Sequence, residues 1–180
     1  MNAQFRSMRP APGDYPPFAA GYVARVPDGD IIDTLSRQIS ETLALLQPVP
    51  ESQGEHRYAD GKWSIRQVVG HLADAERVFA YRALRFSRGD TTPVEGFDEN
   101  LYVSNAPFAR AKLSDLVNEL EHLRRASIHL FANLDAEAMD RRGIANGFPV
   151  SVRALAFMIA GHESHHFETL RTKYLARPNE

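Results

Sequence analysis

Apolar residues recur in steps of three and four along four stretches of the chain. Between Asp30 and Gln47 they fall at Ile31, Ile32, Leu35, Ile39, Leu43 and Leu46, one stripe of a helix with 3.6 residues per turn. Pro48 and Pro50 end that helix, because proline lacks the N–H and crowds the preceding turn. A second helix is announced at Ser64. There Ser64 and Gln67 form an S-x-x-Q capping box, which satisfies two backbone donors that a helix start leaves free. Trp63, just before the cap, can staple onto Val68. The helix runs to Ser87 and stops at Gly89, with Val68, His71, Ala75 and Val78 on one stripe. Ile65, Val69, Leu72, Phe79 and Phe86 make a second stripe. Both cannot face one narrow seam, so the second is expected to meet a partner chain as a homodimer, or to lie under a loop or arm.

The spacing predicts a third helix from Ser114 to Leu134, with Leu116, Leu120, Leu123, Leu130 and Leu134 facing inward. A helical turn at Asp135–Asp140 and a loop through Gly143, Gly147 and Pro149 follow. Ser151 is the expected N-cap of a fourth helix carrying Leu155, Ile159, His162 and His166 inward. No run of alternating β-branched residues marks a strand. The fold class expected is therefore all-α, a four-helix bundle of helices about 30 Å long. The link from Asp90 to Leu113 is long, and at ~3.3 Å per residue it can outreach a helix. Such a crossover lets the second and third helices run parallel.

The 180 residues suffice for one domain with a core, expected over residues 30–176. Residues 1–29 hold five prolines between Pro10 and Pro27, which forbids a long helix and predicts an extended N-terminal arm. Its aromatics, Phe5, Tyr15, Phe18 and Tyr22, suggest that it lies on the bundle.

A net charge of −2 with no basic block provides no footprint for nucleic acid. There is no cysteine, so disulfides, thiolate ligands and a cysteine nucleophile are excluded. The first residues lack the apolar core of a signal peptide, and nowhere do eighteen apolar residues run together. No membrane association and a cytoplasmic location are the expectations.

Against this background stands Gly161–His166, GHESHH. His162 and His166 lie one turn apart on one helical face, a spacing suited to chelating one ion. His71, on the inward stripe of the second helix, can supply a third nitrogen and leave a coordination position open. A single histidine on an apolar seam is ordinarily a core residue. Three on two facing seams would each need a polar partner, and a shared divalent ion satisfies all of them. Neutral imidazoles suit Zn2+ or Ni2+. His165 lies off this face and is the alternative ligand; His122 and His129 flank the third helix's stripe, and His56 sits in a loop. The same stretch reads H-E-x-x-H, with Glu163 as the general base of a zinc protease. That motif needs a third ligand downstream, and Thr169 and Thr172 occupy the positions where its extended form has Gly and His.

The segments YADGKWSIRQVVGHLADAE and RVFAYRALRFSRGD, followed near the end by GHESHH, resemble the DinB/YfiT-like superfamily. The resemblance covers about residues 30 to 175 and leaves the arm unmatched. It implies a left-handed four-helix bundle, commonly dimeric, that binds nickel or zinc through three histidines, here His71, His162 and His166. It also implies either a metal-dependent hydrolase or a transferase using a low-molecular-weight thiol, in both cases on a small-molecule substrate. Without an internal cysteine, any thiolate must arrive as a cosubstrate. A non-catalytic metal- or ligand-binding bundle is the alternative. Asp74, one turn after His71, is a candidate to orient an imidazole. Arg82, on the same stripe, could bind an anionic substrate or could snorkel or pair with a glutamate.

Overall fold

A computed structural model describes residues 3–176. Four long helices form the bundle: α2 (Ile31–Leu46), α3 (Ile65–Ser87), α5 (Leu113–Ala132) and α7 (Val152–Thr169). Shorter helices are α1 (Ala20–Arg25), α4 (Glu99–Asn105) and α6 (Ala136–Asp140), and a hairpin pairs β1 (Arg142–Ala145) with β2 (Phe148–Ser151). Each long helix starts on a side-chain cap, which satisfies donors that the helix itself cannot. Asp30 accepts from the Ile32 N–H at 2.8 Å and Ser151 from that of Ala154 at 3.0 Å. The capping box of Ser64 and Gln67 forms as its spacing predicts. At α5 the cap is borrowed: the Glu51 carboxylate accepts from the backbone of Leu113 and Ser114 at 2.8 and 3.0 Å.

The helix directions follow from which residues share a core. One cluster joins Ile39 and Leu46 to Ile65, Leu72, Leu113, Leu120 and Leu170. The other joins Ile31 and Leu35 to Ala83, Phe86, Phe131 and Leu155. Helices α3 and α5 therefore run parallel, and α2 and α7 run the other way. The segment between α3 and α5 must return the full length of the bundle, and it does so through α4 and a 3-10 turn at Phe108–Arg110.

The hairpin departs from the all-helical expectation. Asn146 and Gly147 both have positive φ, 51° and 77°, the left-handed pair that a tight two-residue hairpin turn requires. The strands have only four residues each, and one contains Pro149, so the turn dipeptide is their sole sequence signature. Backbone hydrogen bonds from Val94 to Ile144 and from Asn146 to Val94, both 2.9 Å, dock the crossover onto β1.

The second stripe of α3 does not serve a partner chain. Ile65, Val69, Leu72, Phe79 and Phe86 are all buried within the protomer, because α5 and α7 flank α3 while the crossover and hairpin cover the remainder. On α5 the seam turns after Leu120 to Arg124, Ser127 and Phe131, leaving Leu123 and Leu130 half-buried. The arm is less extended than its prolines suggest, since the proline-free interval after Pro17 coils into α1. Arg9 fastens the end of α1 through the carbonyls of Val23 and Val26 at 2.7 and 2.8 Å. No described helix is long and apolar enough to cross a membrane.

Candidate functional site

The glycine of GHESHH lets the site be walled. A Cβ at Gly161 would collide with the backbone carbonyl of Tyr22, so α1 can lie directly against α7 only where that helix lacks a side chain. This contact sets the Tyr22 ring edge-on to His162 at 5.4 Å and to His165 at 5.8 Å.

Behind that wall, α3 and α7 present His71, His162 and His166 to one another. One nitrogen from each lies within 4.8 Å of the other two. Nε2 of His71 is 2.9 Å from Nε2 of His162, and the three rings are 4.6–5.0 Å apart. Trp63 packs on the far face of His71 at 4.8 Å. It is held there as its carbonyl accepts from the Tyr174 hydroxyl at 2.6 Å. Burial pushes His71 down to about 4. Burial, followed by the neighbouring His71 and His165, pushes His166 down to about 3. Burial is likewise the largest cause of the depression of His162, with His166 and His71 next. All three imidazoles are consequently neutral at pH 7, with lone pairs available for donation.

His165 lines the cavity but stands outside the three-nitrogen cluster, packed between Tyr22 and His166. His122 borders a shallow surface depression, and His56 and His129 are exposed. Asp74 does not orient His71; it pairs with Arg77 at 3.5 Å, and burial raises its carboxyl. Arg82 does line the cavity, with its Nη2 donating to the Glu95 carbonyl at 2.8 Å.

Glu163 lies on the opposite side of α7, facing the bundle core. Its carboxylate accepts from Thr42 Oγ1 at 2.7 Å and pairs with Arg124, which also binds Glu76 at 2.9 and 3.0 Å. Burial opposes the Arg124 charge, but Glu163 and Glu76 outweigh it and raise its pKa. A glutamate so engaged cannot serve as the base of an H-E-x-x-H protease. The network was detectable in principle, since Glu76 and Arg124 interrupt apolar stripes at steps of four from Leu72 and Leu120. The wall residues Tyr22 and Trp63 carried no such signal.

The arrangement is a four-helix bundle with parallel middle helices and three neutral imidazoles converging in a walled cavity. The chain belongs to the DinB superfamily, whose family model matches residues 34–170. A protein of Oceanobacillus iheyensis, provisionally named a metal-dependent hydrolase, is 27% identical over 143 residues, covering 78% of this chain and 79% of that one. Among solved structures, YfiT from Bacillus subtilis superposes with a TM-score of 0.70 at 22% identity, covering 78% of this chain and 84% of its own. It is described as a probable metal-dependent hydrolase with an unusual four-helix bundle topology. A mycothiol-dependent maleylpyruvate isomerase superposes with a TM-score of 0.65 at 17% identity, over 77% of this chain and 58% of that one.

Proposed function

We propose that this protein is a metal-dependent hydrolase of small molecules, with a divalent transition ion, Zn2+ or Ni2+, held by His71, His162 and His166. Residues 30–176 form the catalytic bundle in this reading, and Pro16, Phe18 and Tyr22 of the arm that precedes it wall its cavity. The observation that carries the proposal is the convergence of three neutral imidazoles, two buried and one half-buried, with one nitrogen of each within 4.8 Å of the others. The donor set fits the ion. Imidazoles without thiolate or clustered carboxylate suit zinc and nickel and argue against calcium and magnesium. When bound, such an ion supplies Lewis acidity that makes a water molecule or a thiol nucleophilic near neutral pH. The chain's own residues do the rest. Trp63, Tyr22 and Phe79 fix the imidazole planes and exclude bulk water. The depressed pKa values of the imidazoles keep protons from competing for their lone pairs.

The hydrolase reading is supported by the names of the Oceanobacillus and Bacillus relatives. A thiol transferase is the second reading, favoured by the structural likeness to a mycothiol-dependent isomerase; its thiol would have to be a cosubstrate, as the chain has no cysteine. The test is elemental analysis followed by turnover of an ester and amide panel by zinc- and nickel-loaded protein, with and without small thiols. Cleavage without thiol is expected. Turnover only with thiol, and with its consumption, replaces the hydrolase by the transferase. Metal binding without any turnover identifies a non-catalytic binding bundle.

A further inference from the structure

Arg82 follows His71 on α3 by eleven residues. That is close to three turns, so both side chains leave one face about 16 Å apart along the axis. Because Cα–Cβ bonds tilt toward a helix's N-terminus, the long Arg82 side chain leans back toward His71. Both border one cavity of about 380 Å³.

Other buried arginines in this protein face carboxylates: Arg124 meets Glu76 and Glu163, and Arg153 meets Asp140. Arg82 is equally buried, at 6% exposure, and forms no ion pair among the described residues. Apart from its bond to the Glu95 carbonyl, its Nε is buried without a partner. Glu99, the one carboxylate among the described residues that line the cavity, is exposed and acts on Tyr22 instead. A buried cation without a counter-charge is costly, and an anion entering the cavity offsets that cost.

Phe79, Phe97, Val150, Leu155 and Met158 line the same cavity, beside the polar Asn146 and Glu99. Among the described residues no lysine or second arginine lines the cavity. One guanidinium matches the single charge of a carboxylate, whereas a phosphate dianion calls for further donors. We infer that the cavity takes a small carboxylate with an apolar body, its carboxylate on Arg82 and its reacting group at His71, His162 and His166. The inference rests on the metal-centre reading only for the reacting end.

Calorimetric titration of the full chain, as purified, with 4-phenylbutyrate, its neutral amide and phenethyl phosphate tests it. The carboxylate should bind at least about tenfold more tightly than the amide, the scale of a charge-assisted hydrogen bond. Arg82→Met should abolish that preference and Arg82→Lys should restore part of it. Arg82→Gln repeats the comparison if the methionine variant does not fold. Preference surviving the loss of the guanidinium overturns the inference, as does tighter binding of the phosphate. His166→Ala should retain the preference. If His166→Ala alone abolishes it, the carboxylate sits on the metal, and the inference fails while the hydrolase reading stands. An Arg82-dependent preference in protein that takes up no metal supports the inference and sinks the hydrolase reading.

Discussion

Thr42 donates to Glu163 at 2.7 Å, which turns the glutamate between His162 and His166 away from both of them. Arg124 on the same carboxylate completes a buried cluster with one member from each long helix: Thr42, Glu76, Arg124 and Glu163. Removing its only cation leaves two buried carboxylates facing each other. Arg124→Met should therefore cost about 3–5 kcal/mol in urea unfolding. Glu163→Gln should cost less, since Glu76 still balances the guanidinium, and its turnover per folded molecule should stay near that of the wild type. A drop of about a hundredfold or more, the scale of a lost general base, would show that Glu163 acts in the chemistry.

Replacement of His71, His162 or His166 by alanine should remove most bound zinc or nickel, together with the thermal stabilisation that the ion confers. His165→Ala should retain both, because its ring lies outside the cluster. Metal-to-protein ratios of the four variants, measured side by side, decide the assignment. Loss in His165→Ala with retention in His166→Ala would move the site by one residue.

Acid should destabilise the metal-free protein through the same histidines. Their folded pKa values lie below the unfolded value near 6.5, with His71 at about 4 and His166 at about 3. The unfolded chain thus binds more protons between these limits. Stability should be level above pH 6.5 and fall as the pH drops toward 4, by up to about 1.4 kcal/mol per pH unit per histidine. Metal should be released over the same interval. Unfolding curves at stepped pH measure the slope, and His71→Ala should flatten it.

Gly161→Ala should loosen the arm, because the added methyl meets the Tyr22 carbonyl. Overpacking of this kind costs about 1–3 kcal/mol. Faster proteolytic cleavage within residues 3–26, with the bundle left intact, is the expected reading. An unchanged cleavage rate would mean that α1 and α7 separate without cost.

Periodicity was enough for the four helices and local caps and prolines for most of their ends, because each acts within a single segment, but the start of α5 is capped by Glu51 from far along the chain. Ser64 with Gln67, Ser151 and Pro48 determine their boundaries whatever lies across the core. The histidine pair was equally legible, since His162 and His166 share a face on any helix that contains them. The choice of His71 as third nitrogen came from its stripe together with the family pattern. Which faces are covered was not local information. The second stripe of α3 reads as surface until α5, α7 and the crossover close around it, and the apolar-looking seam of α5 passes to Arg124 only because Glu76 and Glu163 await it. Tyr22 and Trp63 became site residues through packing between segments far apart in sequence, and only that packing shows that Arg82 has no carboxylate partner among the described residues. Residue order specifies helices because their hydrogen bonds span four positions. Only the folded chain decides which charges meet a partner and which remain free for a ligand, because burial and pairing depend on distances that the order of residues does not contain.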